Sequence, residues 1–222
     1  MAVDDFISTP AALPRLGDEE IHLWRLALGE SANFRDVSSA ARCLLDHLLA
    51  HYGGLASAPE IERGEHGKPF APSLPGIDFN LSHARDHVLI AVARAQPLGV
   101  DIEHIDRKTD VDGLARRFFA ASEAEALRGL PEAQRLEAFV RLWTCKEAVL
   151  KALGEGLAFG LDRVAFALDG AGVPTGLSAL AAEAGDSDAW QLALLEPAPG
   201  FLGALAWRGG RRAIRAFVAA DA

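Results

Sequence analysis

Two long helical patterns constrain the architecture of this chain more than any other feature. The first spans residues 36–52, where leucines recur at helical spacing before Gly53 and Gly54 end the pattern. The second spans residues 132–153 and ends at Gly154. Apolar runs typical of β-strands lie around each helix. The order of these elements predicts an α+β fold in which each half of the chain carries one long helix and several strands.

The other elements follow from local patterns. We predict strands at residues 20–28, 77–83, 87–94, 100–105, 161–168, 190–195, 201–207 and 213–218. We also predict short helices at residues 114–119 and from Ser122, because Ser122 and Glu125 have the spacing of a capping box.

Two connections complete this prediction. Gln96 and Pro97 form a turn signal, which predicts a hairpin between the strands at 87–94 and 100–105. The polar stretch 106–112 divides the chain into an N-terminal half, residues 1–106, and a C-terminal half, residues 107–222. We therefore predict two α+β halves of similar size.

Composition and charge limit the classes of function. Half of the residues are hydrophobic and 24% are charged, which is typical of a globular protein. The formal net charge of −9 counts against a general nucleic-acid binder, which normally carries a basic surface. Cys43 and Cys145 are too few for a disulfide framework. Because no apolar run reaches the roughly 18 residues of a spanning helix, and no signal-peptide pattern opens the chain, we expect a soluble cytoplasmic protein without membrane contact. We also expect a monomer.

Asp101 and Glu103 carry the first functional signal. They lie two residues apart in a predicted strand, so both side chains point to the same face. A solvated sheet face would explain two acidic residues there. Like charges on one face repel each other, however, and a bound cation removes that repulsion. The pair therefore indicates a metal site as the alternative to a plain surface.

The long second helix carries another signal. Glu147 and Lys151 are four residues apart and share a side of the helix, which a surface ion pair would also explain. Lys146 falls within the apolar arc, where a lysine must reach solvent, pair with an acid or serve a ligand. With Asp101 and Glu103, Glu147 makes three carboxylates, and such a set suits Mg²⁺, which also takes water and substrate phosphate as ligands. Together the two segments suggest phosphoryl-type transfer.

Four segments in order carry a resemblance to a known family. Residues 99–103 match the pattern G-[VI]-D-[IV]-E, and residues 143–151 match W-x-x-K-E-[AS]-x-x-K at every defined position. Residues 67–69 (Gly-Lys-Pro) and 80–83 (Asn-Leu-Ser-His) precede them. Through these segments the chain resembles the 4′-phosphopantetheinyl transferases of the long, single-chain class.

The resemblance implies both a fold and a reaction. The fold would have two pseudo-symmetric halves, each a small sheet with a long helix, and the active site would lie at their interface. The reaction would transfer the 4′-phosphopantetheine arm of coenzyme A to a serine of an apo acyl or peptidyl carrier protein, releasing adenosine 3′,5′-bisphosphate. Fatty-acid, polyketide and peptide-synthetase carriers all stay open as partners.

The same resemblance implies roles for particular residues. Mg²⁺ would be held by Asp101, Glu103 and Glu147. Glu147 and Lys151 would be catalytic, and Glu147 would take the serine proton directly or through a water molecule. Coenzyme A would be bound by Arg42, Lys68, Ser82, His83, Lys146 and Lys151. The class usually has more basic residues before its first long helix than this chain has, so Arg42 is the predicted contact for the 3′-phosphate.

A docking surface for the carrier protein is predicted at residues 116–119. Arg116 and Arg117 supply charge for an acidic carrier, while Phe118 and Phe119 supply apolar surface. An ordinary amphipathic helix would show the same pattern.

Two other functions stay open beside the transferase. A metal-dependent nuclease also clusters acids with a lysine, and Asp106-Arg107-Lys108 matches part of such a pattern, although the acidic balance counts against it. A non-catalytic scaffold that binds carrier proteins is the second alternative.

Overall fold

The fold mixes helices with small sheets. The computed structural model describes residues 1–2, 5–8, 10, 12–29, 31–105 and 108–219. The strands are β1 (Ile7–Ser8), β2 (Glu20–Ala27), β3 (Glu62–Arg63), β4 (Pro69–Phe70), β5 (Ile77–Ala84), β6 (His87–Arg94), β7 (Leu98–His104), β8 (Val164–Leu168), β9 (Pro174–Leu180), β10 (Trp190–Ala198), β11 (Phe201–Arg208) and β12 (Ala213–Val218). The α-helices are α1 (Phe34–Gly53), α2 (Val111–Phe118), α3 (Ala121–Gly129) and α4 (Glu132–Leu153). The predicted α+β class is confirmed, whereas the pseudo-symmetry of two halves stays a prediction.

Local chemistry sets the ends of the two long helices. Helix α1 begins after Asn33, whose side-chain oxygen accepts the backbone N–H groups of Arg35 (2.8 Å) and Asp36 (3.2 Å). Gly54 caps the C-terminal end of α1 and Gly154 caps that of α4, with φ angles of 64° and 82°. Glycine adopts this left-handed conformation without the strain that a Cβ atom brings. Both helices therefore lie where the sequence predicts them.

Each of the two main sheets contains strands that are distant from one another in the sequence. The larger sheet has the order β1-β12-β2-β6-β5, and the smaller one has the order β10-β11-β7. Strand β12 pairs in parallel with β2, and β7 pairs antiparallel with β11. Each sheet thus contains a strand from the other predicted half. The predicted boundary at residues 106 and 107 lies outside the described residues, and the two domains stay a prediction.

The predicted hairpin between β6 and β7 is wrong. Strand β6 instead forms a hairpin with β5 through Arg85, which has a φ of 52°. After Ala95 the backbone N–H of Gln96 donates to Asp78 Oδ2 (2.7 Å), and its side-chain amide donates to Arg208 O (2.8 Å). These bonds tie Gln96 to strands of both sheets, so the chain crosses from one sheet to the other. Strand β7 consequently pairs with β11.

The predicted cap of α3 is also wrong. The helix begins before Ser122, and the Glu123 carboxylate accepts the N–H groups of Ala120 (2.9 Å) and Phe166 (2.8 Å). Phe166 lies on β8, so the buried Glu123 also fixes α3 to that strand. The strand predicted from residue 161 begins at Val164, after a turn of 3₁₀-helix. The sequence does not predict β9, since its alanine-rich end has no clear period.

The two long helices cover different sheets. Helix α1 packs on the larger sheet, where Leu45, Leu48 and Trp24 belong to one buried cluster. Helix α4 packs on β7 and β11 and buries Phe139 and Leu142 completely. Among the helices in the described ranges, none is long and apolar enough to cross a membrane.

Candidate active site

Helix α4 and strand β7 meet at Gly99. A Cβ atom here would lie 2.1 Å from Ala148 O and 2.4 Å from the backbone nitrogen of Ala152, which are impossible contacts. Glycine therefore allows the two backbones to approach each other. Because side chains alternate along a strand, Asp101 and Glu103 share the face of Gly99 that is turned toward α4.

This approach brings Asp101 and Lys151 together. Lys151 Nζ lies 2.6 Å from Asp101 Oδ1 and also donates to Ser82 Oγ (2.9 Å) and Val100 O (3.2 Å). Ser82 Oγ donates to the same carboxylate oxygen at 2.8 Å. Asn80 fixes β5 beside β7, since its side-chain oxygen accepts the N–H of Val100 (2.9 Å). Residues from β5, β7 and α4 thus form one hydrogen-bonded cluster.

Glu147 adjoins this cluster, and its electrostatics reflect the other acids. The pKa of Glu147 is raised from 4.5 to about 7, mainly by burial and then by the charges of Asp101 and Glu103, while Lys151 opposes them. Among charged neighbours, Asp101 has the largest effect. A carboxyl group with a pKa near neutrality can accept a proton at physiological pH.

The three acids suit a hard cation by their chemistry. Asp101 is 5% exposed, and its Oδ2 is buried with no hydrogen-bond donor among the described residues. Such an unpartnered oxygen is a free ligand for Mg²⁺, and because the charges of Asp101 and Glu103 both act on Glu147, a cation would also relieve that repulsion. Within the described ranges, however, no three His, Cys, Asp or Glu side chains are close enough together to hold a metal ion. In this conformation Lys151 and Ser82 take Asp101 Oδ1 instead.

A cavity of about 570 Å³ opens beside the cluster. It is lined by Lys151, Ser82 and His83, by the cations Arg42 and Arg63, and by apolar residues including Leu45, Ile61 and Leu81. Basic groups next to apolar surface suit a ligand that carries phosphates and an apolar ring. The structure therefore brings together four of the predicted coenzyme A residues. One of them, Arg42, also pairs with Asp46 (2.8 Å).

Arg63 and Phe34 line this cavity without having been predicted. Arg63 lies on the two-residue strand β3, which is too short to show a periodic pattern; its only signal is its place shortly before residues 67–69. Phe34 is 71% exposed, and its ring meets that of His83 edge-on, with 5.3 Å between the ring centres. Arg63 and Phe34 thus contribute to the cavity from a very short strand and from the first residue of α1.

The coenzyme A contact of Lys68 stays a prediction, and the structure shows two contacts of its ammonium group with the protein. Its Nζ donates to Leu98 O (3.1 Å) and Ala152 O (3.0 Å), which belong to β7 and α4. Burial lowers the Lys68 pKa from 10.5 to about 8, while the charge of Asp78 opposes this shift. The ammonium group is therefore engaged by the protein itself.

The predicted coenzyme A contact of Lys146 does not fit its position. Its side chain is fully buried, and Nζ lies 2.7 Å from Glu123 Oε2. The same group donates to Leu161 O (2.9 Å) and to Val164 O, and it lies 4.9 Å from the centre of the Phe119 ring. Three donors and three acceptors leave no free N–H for a ligand. Of the options open to a lysine on the apolar arc, this one pairs with an acid.

The predicted docking surface is only partly exposed. Arg116 and Arg117 are exposed, and the Arg117 guanidinium lies 4.9 Å from the centre of the half-buried Phe118 ring. Phe119 is buried and stacks on Phe139 at 5.1 Å, so it offers no surface to a partner. Asp106 and Arg107 of the nuclease-like pattern lie outside the described residues.

Known proteins resemble this chain at the level of sequence. The sequence profile of the 4′-phosphopantetheinyl transferase superfamily matches residues 97–197. The chain is 34% identical over 193 residues to the 4′-phosphopantetheinyl transferase HetI of Nostoc sp.. This alignment covers 73% of this chain and 80% of that protein. It is 39% identical to AcpT of Escherichia coli, over 52% of this chain and 56% of that protein. It is also 39% identical to Sfp of Bacillus subtilis, over 44% of this chain and 42% of that protein. The chain thus spans about half the length of these last two relatives.

Proposed function

Because the chain belongs to the 4′-phosphopantetheinyl transferase superfamily, we propose that it transfers the 4′-phosphopantetheine arm of coenzyme A to a serine of an apo acyl or peptidyl carrier protein. The observation that carries this proposal is the cluster of Asp101, Lys151 and Ser82 beside Glu147, at a cavity that also contains Arg42 and His83. Such a transfer requires a cation for the phosphates, a carboxyl group that can accept a proton near neutral pH, and a basic cavity for the substrate.

The bond changes follow from the reaction class. The serine oxygen bonds to the phosphorus that carries the pantetheine arm, and the bond from that phosphorus to the pyrophosphate bridging oxygen breaks. The leaving group is adenosine 3′,5′-bisphosphate. Glu147 takes the serine proton, directly or through a water molecule, and its pKa of about 7 suits that task.

Lys151 stabilises negative charge in this scheme. Its ammonium is only partly exposed, so a phosphate oxygen bound to it experiences less screening than in open solvent. Asp101, Glu103 and Glu147 would hold Mg²⁺. That ion, when bound, supplies charge neutralisation for the pyrophosphate during in-line displacement.

The remaining contacts are assigned by position. Arg42, Ser82 and His83 would bind coenzyme A, because they line the cavity beside Lys151. Arg63 would join them on the same ground. The carrier protein would meet Arg116, Arg117 and Phe118, which lie on α2 after the strand that carries the acids.

Mass spectrometry of apo carrier proteins tests this function. A panel of fatty-acid, polyketide and peptide-synthetase carriers is incubated with the chain, coenzyme A and magnesium. We expect at least one carrier to gain the mass of one phosphopantetheine group, and the Asp101→Ala protein to produce no gain. A carrier that binds the chain but never gains mass would favour the scaffold alternative, and magnesium-dependent cleavage of DNA would favour the nuclease.

A further inference from the structure

Lys68 occupies an unusual position for a lysine beside a basic cavity. It is one of four lysines in the chain, and its Nζ donates to two backbone carbonyl groups, at 3.1 Å and 3.0 Å. The first belongs to Leu98 at the start of β7, and the second belongs to Ala152 in the last turn of α4. One ammonium group thus joins three segments of the chain.

The two carbonyl groups lie close in sequence to the reacting cluster. Leu98 is three residues before Asp101, and Ala152 directly follows Lys151. Gly99 directly follows Leu98, and a Cβ atom on Gly99 would be 2.4 Å from the backbone nitrogen of Ala152. The hydrogen bonds of Lys68 therefore hold β7 and α4 together at the point where their backbones are in contact. The separation of Asp101 and Lys151 depends on that contact.

The end of α4 offsets part of the cost of burying the Lys68 ammonium group. The last carbonyl groups of a helix have no partner within the helix and carry partial negative charge, so a cation stabilises them. The Lys68 stem packs beside the end of α4, since its Cδ would lie 3.3 Å from a Cβ atom on Gly154. A methionine at 68 would fill similar space but would donate no hydrogen bond.

We propose that Lys68 is a positioning residue, which holds the strand of Asp101 and the helix of Lys151 at the separation that transfer requires. This proposal rests on the proposed function. It differs from a direct contact with coenzyme A, because a residue that only binds substrate changes KM, whereas a residue that aligns reacting groups changes kcat.

The test compares Lys68→Met with wild type and with Lys108→Met, a matched change at an exposed loop lysine. Kinetics are measured well below the unfolding midpoint of each protein. We expect kcat of Lys68→Met to fall at least about tenfold, because displacement of reacting groups by about 1 Å can cost 100-fold. We expect KM for coenzyme A to stay within about twofold. Lys108→Met should change neither constant.

Amide hydrogen exchange gives a second measurement that does not require activity. The Gly154 N–H, which donates to Leu150 O at 2.9 Å, should exchange faster in Lys68→Met than in wild type. If Lys68→Met does not fold, Lys68→Gln, which keeps a shorter donor, is measured in the same two ways.

The possible results separate the two proposals. A raised KM with unchanged kcat would overturn the positioning role and indicate a substrate contact instead. Unchanged kinetics together with unchanged hydrogen exchange would show that Lys68 has neither role. If wild type modified no carrier protein, the proposed function would fail. The exchange measurement would still decide whether Lys68 holds β7 and α4 together.

Discussion

Replacing Glu147 by glutamine should stabilise the metal-free protein at high pH. The pKa of Glu147 rises from 4.5 to about 7 on folding, mainly through burial and then through Asp101. Between these pH values the folded protein holds a proton on Glu147 that the unfolded chain has released. Stability from this group is therefore greatest below pH 4.5 and decreases as pH rises to about 7. Glutamine cannot ionise, so the variant avoids the loss.

The magnitude follows from the pKa change. A shift from 4.5 to about 7 is about 2.5 units, which at about 1.36 kcal/mol per unit sets an upper limit of about 3 kcal/mol. The Glu147 side chain is only partly buried and solvent screens its interactions, so we expect a gain of about 1–2 kcal/mol at pH 8. For a chain of this length each kcal/mol moves Tm by about 2–4 °C. The Tm of the variant should therefore rise by about 2–8 °C.

Thermal unfolding in the presence of a chelator measures this effect. The two proteins should differ clearly at pH 8 and much less at pH 5. The control is Glu125→Gln, which changes an exposed acid on α3 and should show no such dependence on pH. A Glu147→Gln protein that is equally or less stable than wild type at pH 8 would refute the repulsion among the three acids. Added magnesium should stabilise wild type more than the variant, because only wild type keeps all three carboxylates.

Substitutions at four further positions test the cluster and the cavity. Asp101→Ala should nearly abolish transfer to a carrier protein while circular dichroism stays unchanged; near-normal turnover would contradict its role. Lys151→Arg should keep part of the activity because the charge survives, whereas Lys151→Ala should be inactive, and normal rates in Lys151→Ala would leave Lys151 with only its pairing to Asp101. Gly99→Ala should lower the free energy of unfolding by at least about 3 kcal/mol in denaturant titrations, since its Cβ would lie 2.1 Å from the carbonyl oxygen of Ala148. Arg42→Gln should raise KM for coenzyme A about tenfold or more with little change in kcat, through loss of a charge-assisted hydrogen bond, and an unchanged KM would exclude the contact.

The sequence predicts elements whose signals are local. Helix α4 has the predicted bounds because helical periodicity and Gly154 both act within a few residues. Strand β6 is recognisable as a continuous apolar run, and it is buried as such a run requires. The sharing of one face by Asp101 and Glu103 also follows from the strand period alone. These features need no knowledge of distant contacts.

Contacts between distant residues are not visible in the same way. Lys146 shows in the sequence as a lysine on an apolar arc, but its partner Glu123 is identified only by the packing of α3 on α4. Lys68 belongs to a recognisable segment, yet its acceptors are carbonyl groups, which every residue carries. The false hairpin at Gln96 has a similar cause: a turn signal specifies a change of direction, and it does not specify the strand with which the chain pairs next.

The position of β12 between two strands of the larger sheet has a consequence for how the protein is made. This strand lies between β1 and β2, and its Ala213 pairs with Glu20. Synthesis from the N-terminus produces β1, β2, β5 and β6 long before β12, so the growing chain carries β2 with one side unpaired. Unpaired strand edges promote association between chains. We therefore expect this sheet to close late, after most of the chain has been translated, and the intermediate to depend on chaperones more than its final stability would suggest.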